Sequence, residues 1–189
     1  ILLIIRLYNL SFIINNKPIF ILGTNWVPPD AIPSLGDKRA AEILELTDDI
    51  GCNAIRIWGG GRYEKDEFYD LCDKKGILVW HDFMMACGNY PQTEEFQKAF
   101  AAEAKQIVRK LRHHPSIMLW AGDNECDPPY RRMINFTNPN DNIVTRKTLY
   151  YLLLNEDFTR PYLPSSPYFD EECYKRGIEL ASENHLWGP

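Results

Sequence analysis

The chain has 189 residues, of which 45% are hydrophobic and 13% aromatic, so it can bury a core within one domain and does not read as disordered. Its formal net charge of −5 argues against nucleic acid or an anionic membrane as the main partner, because a phosphate-binding surface needs clustered cations. The apolar run from Ile1 to Ile5 is interrupted at Arg6 and Asn9, well short of the roughly 18–20 residues of a membrane span, and reads as a strand.

In chain order, Phe12 to Ile14, the turn Asn15-Asn16-Lys17-Pro18 and Ile19 to Leu22 predict two strands around a turn, since Asn tolerates positive φ and Pro cannot continue a ladder. Asp37 to Ile50 predicts a helix with Ile43, Leu46 and Ile50 on one face, closed by Gly51, and a strand follows over Asn53 to Trp58. Tyr63 to Lys75 repeats the scheme with Phe68, Leu71 and Cys72 inward and Gly76 as the stop, before a strand at Ile77 to Trp80. Thr93 can cap a third helix with Glu94 and Glu95 in its first turn, Phe96, Phe100, Ile107 and Leu111 on its buried face, and Arg109, Lys110 and Arg112 near its end before Pro115. Ser116 to Ala121 is a fourth strand, about Asn142 to Asp157 a helix, and Pro161 to Ser165 a fifth strand.

Parallel strands with helical crossovers make either an open doubly wound sheet or a closed barrel. A dinucleotide-binding sheet should show GxGxxG after its first strand, whereas here that strand runs into Asn25-Trp26-Val27-Pro28-Pro29-Asp30. Aromatic, amide and carboxylate groups at the strand exits instead predict a (β/α)₈ barrel of which the chain holds about the first five strands. Residues 1–17 then read as a last strand or linker from a preceding β-sandwich, and 18–189 as the N-terminal part of the barrel.

Several clusters have plain readings. The five cysteines, Cys52, Cys72, Cys87, Cys126 and Cys173, never form a CxxC pair and read as reduced structural thiols. Gly59-Gly60-Gly61 lacks P-loop spacing and reads as a tight βα turn. His113-His114 reads as a helix-end cation, and His81-Asp82 is weak as a metal pair, so no metal and no cofactor are expected. The Asn9-Leu10-Ser11 and Asn135-Phe136-Thr137 sequons matter only in a secreted eukaryotic protein. No cationic leader with a small-residue cleavage site is evident, and the compartment stays open.

The chemistry concentrates in Trp120-Ala121-Gly122-Asp123-Asn124-Glu125, which would bring Glu125 to the barrel mouth beside Asn124. With Asn25 to Asp30, Arg56-Ile57-Trp58-Gly59-Gly60-Gly61-Arg62-Tyr63, His81-Asp82-Phe83-Met84-Met85-Ala86-Cys87 and Leu111-Arg112-His113-His114-Pro115-Ser116, this run resembles family 2 glycoside hydrolases, and β-mannosidases most closely. The resemblance implies a retaining exo-glycosidase acting on terminal β-D-mannosyl residues, with Glu125 as general acid/base. Retention needs one carboxylic acid to protonate the leaving oxygen and a second carboxylate to attack the anomeric carbon. An apolar wall such as Trp120 and a nearby anionic nucleophile would favour the protonated acid. The resemblance also implies that Asn124 hydrogen-bonds the sugar 2-hydroxyl, that Arg56 orients the nucleophile, that Trp58 and Trp26 offer apolar faces to a pyranose, and that Asp30 and Asp82 accept hydroxyls.

The family's nucleophile is a Glu in a Ser-Glu-Phe-Gly setting, absent up to Pro189. Glu183 is the nearest imitation, but Glu183-Asn184-His185-Leu186-Trp187 lines up better with the family's Asp-x-His-x-Trp segment, whose His and Trp build the sugar pocket; His185 and Trp187 are therefore expected binding residues. The loop from Cys126 to Arg132 lacks the Trp that mannosidases usually present. Other family 2 activities (β-galactosidase, β-glucuronidase, exo-glucosaminidase) and a noncatalytic carbohydrate-binding remnant are the alternatives. The expected partners are a β-mannoside or related oligosaccharide and the other domains of a longer chain, or a second copy covering the open barrel edges.

Overall fold

The computed structural model describes residues 2–6, 9–127, 138–176, 181–183 and 185. A three-stranded antiparallel sheet of β1 (Leu2–Arg6), β2 (Asn9–Ile14) and β3 (Lys17–Ile19) precedes a five-stranded parallel sheet. The hairpin between β2 and β3 turns at Asn15 and Asn16, whose φ values of 51° and 62° lie in the left-handed region that Asn tolerates. Pro18 does not end the ladder as expected: it pairs with Ile13 inside β3, which is an edge strand, where a missing N–H goes unmissed. That strand ends at Ile19 instead of running on to Leu22.

The parallel sheet runs in sequence order through β4 (Gly23–Trp26), β5 (Ala54–Ile57), β6 (Leu78–Asp82), β7 (Ile117–Ala121) and β8 (Tyr162–Leu163), as five consecutive strands of a (β/α)₈ barrel. Between them lie α1 (Pro33–Asp49), α2 (Asp66–Lys75), α3 (Glu94–Leu111) and, before β8, a π-helical turn Val144–Leu149 that continues into α4 (Tyr150–Glu156); α5 (Glu171–Arg176) follows β8. Strand alternation divides the side chains. Ile55 and Ile57 join the helix-facing core with Phe68, Cys72, Val79, Phe100, Val108 and Trp120, whereas Ala54, Leu119, Ala121 and Leu163 face the barrel interior, where Phe12 of the hairpin packs on them. A register shift after Val79 leaves Met118 as an extra residue in β7 and turns it inward as well.

Gly51 and Gly76 end α1 and α2 in left-handed conformations, φ 79° and 70°, as the sequence predicts. Thr93 caps α3, its hydroxyl accepting from the Phe96 N–H at 3.3 Å. The expected face of α1 is wrong in phase: Leu46 and Ile50 are exposed, and the residues packed on α2 and the sheet side are Leu44 and Thr47, flanked by Ile43. The Glu-Ile-Leu-Glu-Leu pattern fits either face, and the position of the sheet chooses between them. The helix expected over 142–157 has a π-helical first half, which buries Val144, Thr145 and Leu149 together and frees the Thr145 carbonyl to accept from the Tyr162 hydroxyl at 2.7 Å.

Candidate active site

The carboxyl ends of β4 to β7 open onto a cavity of about 570 Å³ lined by Asn25, Val27, Arg56, Trp58, Trp80, Cys87, Asn124, Glu125, Ser166, Glu183 and His185. Beyond the strands the sheet pairing continues through single bridges, Ala86 with Asn124 and Asn124 with Ser166. The Asn124 N–H donates to the Met85 carbonyl at 2.9 Å, the Cys87 N–H to the Asn124 carbonyl at 2.8 Å and the Glu125 N–H to the Ser166 carbonyl at 2.9 Å. These bonds hold Glu125 in the left-handed region, φ 55°, an uncommon conformation for a non-glycine residue and one that the surrounding ladder maintains.

Asp123 anchors the same turn from below. Its carboxylate accepts from the Ser165 hydroxyl at 2.5 Å, the Cys126 N–H at 3.1 Å and the Asn142 amide at 3.2 Å. Burial, with Asp127 close by, pushes the Asp123 carboxyl up to about 7. Asp127 is in turn ion-paired with Arg146 of the π-helical turn.

Arg56 is held by a fork on Asp82, Nη2 to Oδ2 at 2.8 Å and Nε to Oδ1 at 3.2 Å, and its Nη2 also reaches Asn124 Oδ1 at 2.9 Å. Asp82 is fully buried and further accepts from the Gly59 N–H at 3.0 Å and the Trp80 indole N–H at 3.0 Å. Burial raises the Asp82 carboxyl, against the pull of Arg56 and these donors. Asp82 therefore meets no solvent-filled space in which to accept a sugar hydroxyl; it sets the position of Arg56. With its oxygen engaged by Arg56, Asn124 turns Nδ2 toward Cys87 Sγ at 3.3 Å. The Trp58 ring lies against Gly60, where any Cβ would come within 2.2 Å of the indole, and Gly59 has no room for one beside the Met85 carbonyl at 2.4 Å. The glycine run is thus a tight βα turn that seats Trp58.

The structure brings Glu125, Asn124, Arg56, Trp58 and His185 to one cavity. It does not bring Trp26 or Asp30 there. Trp26 is 4% exposed, packs on Phe68 at 4.7 Å and donates to Glu64 at 3.1 Å, because its neighbour Asn25 takes the inward side of β4. Asp30 accepts the Ile32 N–H at 2.9 Å and shapes the entry to α1. Trp120 forms no wall for Glu125: it is buried on the helix side, stacked on Phe83 and bonded to Asp157 at 2.9 Å. The apolar wall is Trp80, two residues before Asp82 on the same strand face, a period-2 signal the sequence offered. Cys87, Ser166 and Glu183 also line the cavity, and no local pattern marks Ser166. Trp187 lies outside the described residues. Away from the cavity, His114 Nδ1 meets Asp73 at 2.7 Å, and the Ser116 N–H donates to the same carboxylate at 2.9 Å, so this histidine ties the end of α3 to α2.

A (β/α) barrel segment with a carboxylate, an amide and a clamped arginine converging at its strand exits has the active-site layout of a barrel enzyme. The family model described as "Glycosyl hydrolases family 2, TIM barrel domain" matches residues 5–162, and the chain belongs to that family. It is 42% identical over 168 residues to a β-mannosidase of Rattus norvegicus, covering 82% of this chain and 19% of the relative. To β-mannosidase B of Thermothelomyces thermophilus it is 39% identical over 189 residues, covering 93% of this chain and 22% of the relative. The crystal structure of a β-D-mannosidase from Dictyoglomus thermophilum superposes with a TM-score of 0.78 at 38% identity over 87% of this chain and 21% of that one. The chain thus spans about a fifth of the length of the curated relatives it matches.

Proposed function

We propose that the chain supplies the acid/base half of a retaining exo-β-mannosidase, and the observation that carries this is the Glu125 carboxylate in a cavity with Asn124, Arg56 and Trp58. The terminal mannosyl ring lies against the Trp58 face, and its axial 2-hydroxyl accepts from Asn124 Nδ2, a contact that strengthens as charge develops at the anomeric carbon. In the first step Glu125 gives its proton to the glycosidic oxygen while a carboxylate from a further part of the polypeptide attacks the anomeric carbon. In the second step Glu125 takes a proton from the water that releases mannose, so each step leaves it ready for the next. Arg56, fixed by Asp82, presents its cationic edge to the side from which the nucleophile approaches. Residues 1–17 serve as the last strand or linker of a preceding domain and hand over to the barrel through the β2–β3 hairpin. The complete enzyme's partners are then β-mannosides and its own other domains, with no cofactor.

The test is Glu125→Gln in the full-length polypeptide. The expected outcome is a loss of about 10²- to 10⁴-fold in kcat/KM on a mannoside with a poor leaving group, and restoration by azide with an activated substrate, giving the β-mannosyl azide. Unchanged turnover by the variant would sink the assignment.

A further inference from the structure

The cavity contains a chain of hydrogen bonds that the acid/base cycle above leaves unused. It runs from Glu125 Oε1 to His185 Nδ1 at 2.5 Å, from His185 Nε2 to Ser166 Oγ at 3.3 Å, and from Ser166 Oγ to Glu183 Oε1 at 2.6 Å. The Ser182 hydroxyl donates to the other Glu183 oxygen, Oε2. A hydroxyl has one proton to give, so the direction of the chain can be worked out from its far end. An ionised Glu183 is an acceptor at both oxygens, and Ser166 commits its proton to it. Ser166 Oγ can then only accept from the imidazole, which places the ring hydrogen on Nε2. In a neutral ring Nδ1 is left as a lone pair, and a lone pair 2.5 Å from a carboxylate oxygen is repulsive unless a proton lies between them.

We infer that Ser166 and Glu183 are positioning residues which hold the His185 ring against Glu125 and thereby aim the Glu125 carboxyl at the leaving group. This deepens the acid/base reading proposed above and rests on it. The balance is simple: the Glu125 O–H bond breaks as the leaving oxygen gains the proton, and His185 neither gains nor loses one. Among the described residues, Arg56 from β5, itself locked to Asp82, and Cys87 from the loop after β6, whose Sγ lies 3.6 Å from Glu125 Oε2, line the cavity beside the chain. Burial raises the Glu183 carboxyl, while its two serine donors and Arg56 oppose that rise. A proton on Glu183 would reverse every donor in the chain, so it is the ionised Glu183 that keeps Ser166 donating away from His185 and free to accept from its Nε2–H.

The experiment compares kcat/KM for dinitrophenyl β-mannoside, whose leaving group departs without a proton, and phenyl β-mannoside, whose leaving group needs one. It uses the full-length polypeptide and its Ser166→Ala and Glu183→Gln variants. Rates are divided by the fraction of sites titrated with a fluoromannoside inactivator, so that unfolded material drops out. Each variant is expected to lose about 10- to 100-fold on the phenyl substrate and less than about 3-fold on the dinitrophenyl one. Equal losses on both substrates, or no loss on either, would overturn the relay while leaving the mannosidase reading in place. No turnover of either mannoside by the unsubstituted protein would overturn both.

Discussion

Asp82 illustrates how a buried charge serves a site that it does not touch. Its carboxylate meets four donors, two of them from Arg56, and has no exposed surface, so it acts on the cavity only through the guanidinium. Asp82→Asn should therefore destabilise the fold by about 3 kcal/mol or more, since removing one member of a buried pair strands the other. It should also raise KM for mannosides as Arg56 leaves Asn124, and a variant with unchanged thermal midpoint and KM would contradict this account. His81, on the opposite face of the same strand, is neutral by design: the Tyr69 hydroxyl lies 2.8 Å from Nε2 and the Asp82 carbonyl 2.8 Å from Nδ1. Burial pushes its imidazole down from 6.5 to about 4. In that window the unfolded state binds the proton and the folded state does not, so this contribution is present above pH 6.5 and lost as pH falls toward 4. The denaturant midpoint should fall between those limits, and His81→Gln should flatten the slope; equal slopes would refute the assignment.

At the scale of elements, two close approaches set how the strand exits meet. A Cβ at Gly122 would lie 2.2 Å from the Pro164 carbonyl oxygen and 2.7 Å from the Tyr162 hydroxyl, so Gly122→Ala must push β8 away from β7 at the point where Glu125 is held. A loss of about 1–3 kcal/mol in chemical denaturation is expected, accompanied by a fall in kcat. Thr93→Ala gives the contrast: it removes the cap of α3, on the order of 1 kcal/mol, with KM and kcat unchanged because α3 contributes no side chain to the cavity. The alternation of strands and helices was legible because each run carries its own period and stop signal, as with Gly51, Gly76 and Thr93. The face of α1 was not, since adjacent Ile43, Leu44 and Leu46 allow two apolar stripes. On β4, Asn25 and Trp26 alternate as any strand does, and only the neighbouring strands determine that the amide turns inward.

For the whole molecule, β4 and β8 each pair on one side among the described residues, so the parallel sheet has two edges. Parallel strands normally have both faces covered and their edges joined. If Glu125 has the proposed acid/base role, the 189-residue chain studied by itself is expected to self-associate in sedimentation and to turn over no aryl β-mannoside, because that reading draws the attacking carboxylate from another part of the polypeptide. Full activity in the isolated chain would show that a carboxylate already present, Glu183 foremost, completes the pair.

What the sequence by itself determined was local and repetitive: the βα alternation, the turn and cap residues, and the Asn-Glu pair at the end of the fourth barrel strand with Arg56 and Trp58 ahead of it. Each of these depends on neighbours a few residues away or on a run whose order is itself the signal. Only the tertiary structure decided which partners those groups meet. Asp82 behind Arg56, Trp80 in place of Trp120 as the apolar wall, and the line from Glu183 through Ser166 and His185 to Glu125 depend on contacts between residues 17 to 68 positions apart or on loops without pattern. Hydrogen bonds and burial act through space, and chain spacing does not encode a contact that depends on where several strands end.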